Sequence, residues 1–214
     1  MLSVVCLVLA YLLGSLSGSL LLGRIIGVDI RRSGSGNAGG TNAFRTRGWR
    51  FALGVVVIDV GKGALAACVP AWLSASSMSL VGLQAACILV AAAGHTWPIF
   101  FGFRGGKGAA VLLGGLMVFW PSAVLVVIAV WLVVLVLSGY VGLATMLATS
   151  ALLPWAVVQQ GATLTGALLF ALAASVFIVF THRANVQRLW AGNEHRFEKL
   201  RLFARRRGRA SGSE

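Results

Sequence analysis

The residues of this chain that could do chemistry gather in three short polar stretches set between long apolar runs. The first reads Gly34-Ser-Gly-Asn-Ala-Gly-Gly-Thr-Asn42 and is followed by Arg45. Successive glycines permit turns with positive φ that aim several backbone N–H groups at one anion, and small hydroxyl and amide side chains can complete the shell. A flexible Gly/Ser connector would need none of Asn37, Thr41, Asn42 or the arginine, so the stretch reads as a phosphate cradle. The second runs from Gly94-His-Thr-Trp-Pro to Arg104-Gly-Gly-Lys-Gly108 and leads straight into an apolar helix. Gly105, Gly106, Lys107 and Gly108 at a helix N-terminus combine free N–H groups, the positive end of the helix dipole and one point charge. A nucleotide P-loop is excluded, because Phe101 and Gly108 stand where that pattern needs a glycine and a serine or threonine. Lys107 alone could be an interfacial anchor; the three glycines around it are not explained that way.

The third stretch, Thr181 to Glu194, mixes His182, Arg183, Asn185, Arg188 and Glu194 with a glycine turn, where a bland membrane-proximal tail would be merely basic. His182 and Asn185 are three residues apart, and Arg183 and Arg188 add charge at the same interface. Asp59 and Lys62 have the same spacing inside an apolar run, where charges face a bundle interior or a watery cavity. They read equally as a buried structural pair or as a group touching substrate. Cys6, Cys68 and Cys87 lie in apolar surroundings without metal-like spacing, so no metal or disulfide is expected.

The elements that must position these stretches are membrane helices. Of 214 residues, 58% are hydrophobic and 11% charged, and the mean hydropathy of +0.90 lies outside the range of soluble domains. A net charge of +13 would suggest nucleic acid in a soluble protein, but the basic residues cluster beside apolar spans as cytoplasmic loops do. No nucleic-acid partner is expected. A spanning helix needs ~20 apolar residues. Leu2–Gly23 and Phe51–Leu73 meet that, and Leu80–Gly94, Val141–Val158 and Thr165–Phe180 are shorter candidates. Leu2–Gly23 lacks a basic leader and reads as a retained span rather than a cleaved signal. The run Gly108–Leu137 would be roughly 45 Å long as one helix, and a single crossing would split the basic loops between two faces. Two short helices, or a re-entrant pair turning at Trp120–Pro121, put every basic cluster on one side. The expected fold is therefore an all-α polytopic bundle of about seven spans, N-terminus outside and C-terminus cytoplasmic. Residues 1–200 form one domain and 201–214 a basic tail suited to anionic lipid headgroups.

GSGNAGGTNAFR (34–45), GHTWPIFFGFRGGKGAA (94–110), HRANVQRLWAGNE (182–194) and the span bearing IDVGKG (58–63) closely resemble the bacterial PlsY family of membrane glycerol-3-phosphate acyltransferases that use acyl phosphate. The resemblance covers nearly the whole chain. Gly40 departs from a commonly seen alanine, and Val111 from a threonine. The resemblance implies acyl transfer from acyl phosphate to the 1-hydroxyl of glycerol 3-phosphate at the cytoplasmic face of a bacterial plasma membrane, with no cofactor. It is consistent with the chemistry: an activated mixed anhydride can be attacked directly by an alcohol, so the protein must chiefly bind two phosphates and shelter a chain. A His-x4-Asp acyltransferase signature is absent, since the fifth residues after His95, His182 and His195 are Phe100, Gln187 and Leu200. Ser35, Arg45, Lys107, His182 and Asn185 are the catalytic candidates. Gly36, Asn37, Thr41, Asn42, Gly105, Gly106, Gly108, Arg183 and Glu194 are the binding candidates. The attacking hydroxyl's proton goes either to His182 or to a substrate phosphate. The competing reading is a transporter or binding protein for a phosphorylated metabolite, which would place site residues near the midplane rather than at one face.

Overall fold

The computed structural model describes residues 1–73, 80–160 and 166–197. Among them are ten α-helices: α1 (Leu2–Ser15), α2 (Gly18–Ile25), α3 (Gly40–Trp72), α4 (Leu80–Thr96), α5 (Ala109–Phe119), α6 (Pro121–Ser138), α7 (Val141–Ser150), α8 (Leu152–Gln160), α9 (Gly166–Thr181) and α10 (Arg183–Trp190). The basic tail and the connecting segments 74–79 and 161–165 lie outside the described residues. Gly40–Trp72, Leu80–Phe101, Pro121–Ser138 and Val141–Gln159 are each long and apolar enough to cross a membrane. Two bent pairs pass the same test together: α1 with α2, bent by 47°, and α9 with α10, bent by 58°. The expected all-α polytopic bundle is what forms. The most apolar of the four single spans, α6, buries only Ala123 and Leu135, a surface that hydrocarbon tolerates and water does not.

The long run after Gly108 divides where its sequence allows. Trp120 leaves the helical region (φ −150°, ψ 71°), and Pro121 opens α6 at a first-turn position where its missing N–H costs nothing. Lys107 before α5 and Val141 after α6 border the same cavity, so the chain goes out along α5 and returns along α6. The eleven residues of α5 reach only about 16 Å.

Small residues bring the central helices together. A Cβ on Gly63 would lie 2.0 Å from the Val111 carbonyl oxygen, and one on Gly114 would lie 1.9 Å from that of Val60. Glycine is therefore what lets the α3 and α5 backbones touch, the small-residue packing expected where lipid supplies no hydrophobic drive between helices. Val111 is fully buried in this seam, so its side chain packs and a hydroxyl there has no solvent or cavity to meet.

Two departures from the simplest span picture matter for the site. The first expected span is broken at Leu16–Ser17, and the break is stapled by α3. Lys62 Nζ donates to the carbonyls of Gly14 and Leu16 at 2.9 Å each and pairs with Asp59 Oδ1 at 2.9 Å, while Asp59 Oδ1 accepts the Gly18 N–H at 3.1 Å. A helix break inside a span exposes carbonyls and N–H groups that must be satisfied internally. Lys62 and Asp59 are buried and do this, which favours the structural reading of the pair for Lys62. Asp59 also touches the cavity wall. Second, α3 begins eleven residues before the expected Phe51 and is interrupted at Gly48 (φ 81°, ψ −179°), a conformation essentially confined to glycine.

Candidate active site

All three polar stretches meet at one end of the bundle. Arg31 ties the first to the second: its guanidinium donates to the carbonyls of Phe101 and Arg104 at 2.9 Å each, and Asp29 holds it in a salt bridge at 2.8 Å. These Arg31 contacts keep the Asp29 carboxyl below the usual carboxylate range. The second stretch is joined to the third by Thr181 Oγ1, which donates to the Lys107 carbonyl at 3.0 Å. Between them lies a cavity of about 450 Å³.

The cavity is polar at its loop end and apolar where it runs down between α5, α6 and α7. Two helix N-termini border its polar end: Gly39 to Asn42 opening α3, and Gly108 to Ala110 opening α5. First-turn N–H groups have no intrahelical partner and carry the positive end of the dipole. Lys107, Arg45 and Arg188 add three cations, against Glu194 and, deeper, Asp59. Among the described residues the Ser35 hydroxyl, the Asn37 amide, the Thr41 hydroxyl and the Arg45 guanidinium make no hydrogen bond, which leaves their polar atoms to a ligand. Asn42 differs. Its amide nitrogen donates to the carbonyls of Ile30, Ser33 and Asn37, and its oxygen accepts the Ser35 N–H at 2.9 Å, so it shapes the loop from within.

Lys107 Nζ donates to Asn185 Oδ1. The Asn185 amide donates to Glu194 Oε1 at 2.9 Å, and Arg188 Nε donates to Glu194 Oε2 at 2.6 Å. Glu194 therefore sets the rotamers of a cationic cluster from behind. Burial, the charge of Arg188 and, more weakly, those of Arg45 and Arg183 push the Lys107 ammonium down to about 8, with Glu194 opposing. His182 is buried at the start of α10, and its Nδ1 lies 2.8 Å from the Ile178 carbonyl oxygen. A carbonyl only accepts, so this contact assigns the proton of the neutral ring to Nδ1 and leaves the Nε2 lone pair uncommitted.

Ser35, Asn37, Thr41, Asn42, Arg45, Lys107, Gly108, His182, Asn185 and Glu194 border the cavity, whereas Gly36, Gly105, Gly106 and Arg183 do not. The N–H groups of Gly105 and Gly106 donate to the carbonyls of Thr96 and His95 at 3.1 Å each. A Cβ on Gly106 would lie 2.1 Å from His95 Nε2. These two glycines let the loop fold over His95, and it is Lys107 and Gly108 that reach the cavity. Arg188 and His95 are cavity residues not singled out as candidates from the sequence. Arg188 could have been found, since it follows His182 and Asn185 at three-residue spacing. Trp131, whose Nε1 donates to Thr145 Oγ1 at 3.2 Å across the apolar wall, gives no such signal within an apolar run.

Fold and site together define a multi-pass membrane protein with a cleft lined by several cationic side chains at one end of its bundle. Residues 4–192 match the model of the family described as glycerol-3-phosphate acyltransferase. Similar relatives are the glycerol-3-phosphate acyltransferases of Pseudomonas paraeruginosa, 44% identical over 89% of this chain and 97% of the relative, and of Chlorobaculum tepidum, 35% identical over 89% and 94%. The fold is similar to the crystal structure of PlsY (YgiH), an integral membrane glycerol 3-phosphate acyltransferase, in its glycerol 3-phosphate form. The TM-score is 0.82 at 34% identity, covering 91% of this chain and 95% of that one. The lysophosphatidic acid form of the same enzyme aligns with a TM-score of 0.81. This chain belongs to the glycerol-3-phosphate acyltransferase family.

Proposed function

We propose that this enzyme transfers a fatty acyl group from acyl phosphate to the 1-hydroxyl of glycerol 3-phosphate, giving 1-acylglycerol 3-phosphate and inorganic phosphate, an early step in making phospholipid. The observation that carries this reading is the two-part cavity. Its loop end gathers three cations and two helix N-termini, enough positive potential for two phosphate groups, and its other end is an apolar slot between α5, α6 and α7 suited to an acyl chain. That PlsY was crystallised with glycerol 3-phosphate and with lysophosphatidic acid supports the same acceptor and product here.

In this scheme the Ser35–Arg45 loop holds the phosphate of glycerol 3-phosphate, and Lys107 with the α5 N-terminus holds the phosphate of the donor. The acceptor hydroxyl oxygen attacks the acyl carbonyl carbon. An ester C–O bond forms, and the C–O bond to phosphate breaks, with phosphate taking the electron pair. His182 Nε2 receives the hydroxyl proton, and Asn185 keeps Lys107 in place. Phosphate is a good leaving group, so no covalent enzyme intermediate is needed. The site faces the cytoplasm of a bacterial plasma membrane, with the N-terminus outside and the C-terminus inside.

Purified protein given labelled glycerol 3-phosphate should form product with acyl phosphate alone and release one phosphate per product. Turnover with acyl-CoA and none with acyl phosphate would overturn the donor assignment. The pH dependence has a defined sign. Lys107 loses its proton as pH rises through about 8, so kcat/KM, which reports the free enzyme, should fall on the alkaline side of that value. The limb in kcat should lie at higher pH, because bound phosphate favours the ammonium. In Lys107→Arg, whose guanidinium stays charged, the alkaline limb should vanish from whatever activity remains.

A further inference from the structure

Beyond α10 the chain turns back across the mouth of the cavity. Gly192 reverses it in a left-handed conformation (φ 69°), and the Asn193 N–H returns to the Arg188 carbonyl at 2.9 Å. Glu194 turns inward, and the next residues cross to the turn between α6 and α7. There Arg196 Nε donates to the Ser138 carbonyl at 2.8 Å and the Phe197 N–H donates to the Gly139 carbonyl at 2.9 Å. This strap lies past residue 192, where the match to the family model stops.

The ring of Phe197 ends on α3. Its centroid is 6.1 Å from that of Phe44 and 4.8 Å from Arg45 Cζ. Among the described residues no hydrogen bond or ion pair holds the Arg45 guanidinium; Glu194 attracts it without contact, and this cation–π contact is the direct one that orients it. Orientation from elsewhere is weak, because Gly48 uncouples the first two turns of α3 from the long span below them. A cationic side chain at the mouth of the cavity, on a segment hinged by glycine, meets one aromatic face, and that face is pinned by backbone to a different pair of helices.

We propose that Phe197 is a positioning residue for the acceptor substrate: its ring holds the Arg45 guanidinium over the cavity, leaving the N–H groups of that guanidinium aimed at the phosphate of glycerol 3-phosphate. This rests on the phosphate reading of the site given above. The strap links the α6–α7 turn, which borders the apolar slot, to the arginine at the polar end.

The test uses the full-length chain in detergent, with isothermal titration of glycerol 3-phosphate beside steady-state kinetics. Phe197→Ala should weaken the Kd and raise the KM for glycerol 3-phosphate about tenfold, within the range of a partly desolvated cation–π contact. The KM for acyl phosphate should move much less, and the unfolding temperature should hold. Phe197→Tyr should restore affinity, whereas Phe197→Leu, which keeps bulk without a π face, should not. In an Arg45→Ala background Phe197→Ala should add nothing further. An unchanged Kd in Phe197→Ala, or full rescue by leucine, would overturn the positioning role. Those failures are distinct from failure of the function itself, which would appear as wild-type protein that does not bind glycerol 3-phosphate at all.

Discussion

Lys107→Ala is expected to lower turnover by on the order of 10²–10³, the usual cost of removing one preorganised stabilising group, while the protein stays monodisperse in detergent. In the proposed reaction, departing phosphate would concentrate negative charge beside the N-terminus of α5, and Lys107 is the cation that the Gly105–Gly108 turn delivers there. Its surroundings favour this use. Burial and neighbouring arginines already destabilise the ammonium, so developing phosphate charge relieves a strain that water would otherwise screen. Lys107→Arg keeps the charge but must fit a planar fork beside Asn185, so it should retain part of the activity. Initial rates of phosphate release for the three proteins decide the matter. Near-wild-type turnover by Lys107→Ala would reduce the residue to a membrane anchor.

The largest effect on stability is expected at Lys62. Its three protons serve four acceptors, the carbonyls of Gly14 and Leu16, Asp59 Oδ1 and His95 Nδ1, at 2.8 to 2.9 Å. Lys62→Met would leave the broken end of α1 unsatisfied and Asp59 unpaired in a buried setting, a loss of about 3–5 kcal/mol. Thermal unfolding in detergent should show a large drop for Lys62→Met and a smaller one for the Asp59→Asn/Lys62→Met double variant, in which no lone charge is stranded. An unchanged unfolding temperature would show that the pair does not staple the break.

Much of this was legible in the sequence because membrane helices and glycine-rich anion loops both leave strong local signals. The turn at Trp120–Pro121 followed from parity, and the three polar stretches lie at one end of the bundle as the clustering of their basic residues implied. Other features left none. The break after α1 occurs in a run of Gly, Ser and Leu that reads as continuous, and what fixes it is a lysine 46 to 48 residues away in sequence. Gly105 and Gly106 look like cradle residues because local pattern cannot say which N–H groups a returning carbonyl will claim. Phe197 is one aromatic residue before a basic tail, and only its distance to Arg45 marks it.

The stapled break also bears on how the protein enters the bilayer. A segment carrying Asp59 and Lys62 is costly to place alone in hydrocarbon, at roughly 2.5–3.5 kcal/mol for each charge near a helix centre. Pairing the two on one face lowers that cost but leaves ammonium protons over. Their acceptors are backbone carbonyls in the preceding broken span, which emerges from the ribosome first. The first three helices are thus mutually dependent in insertion: α1 and α2 need the charges of α3 to close their gap, and α3 needs that gap to shelter its charges. Membrane integration should proceed with these helices as one cooperative unit, held together at the translocon until the third has arrived.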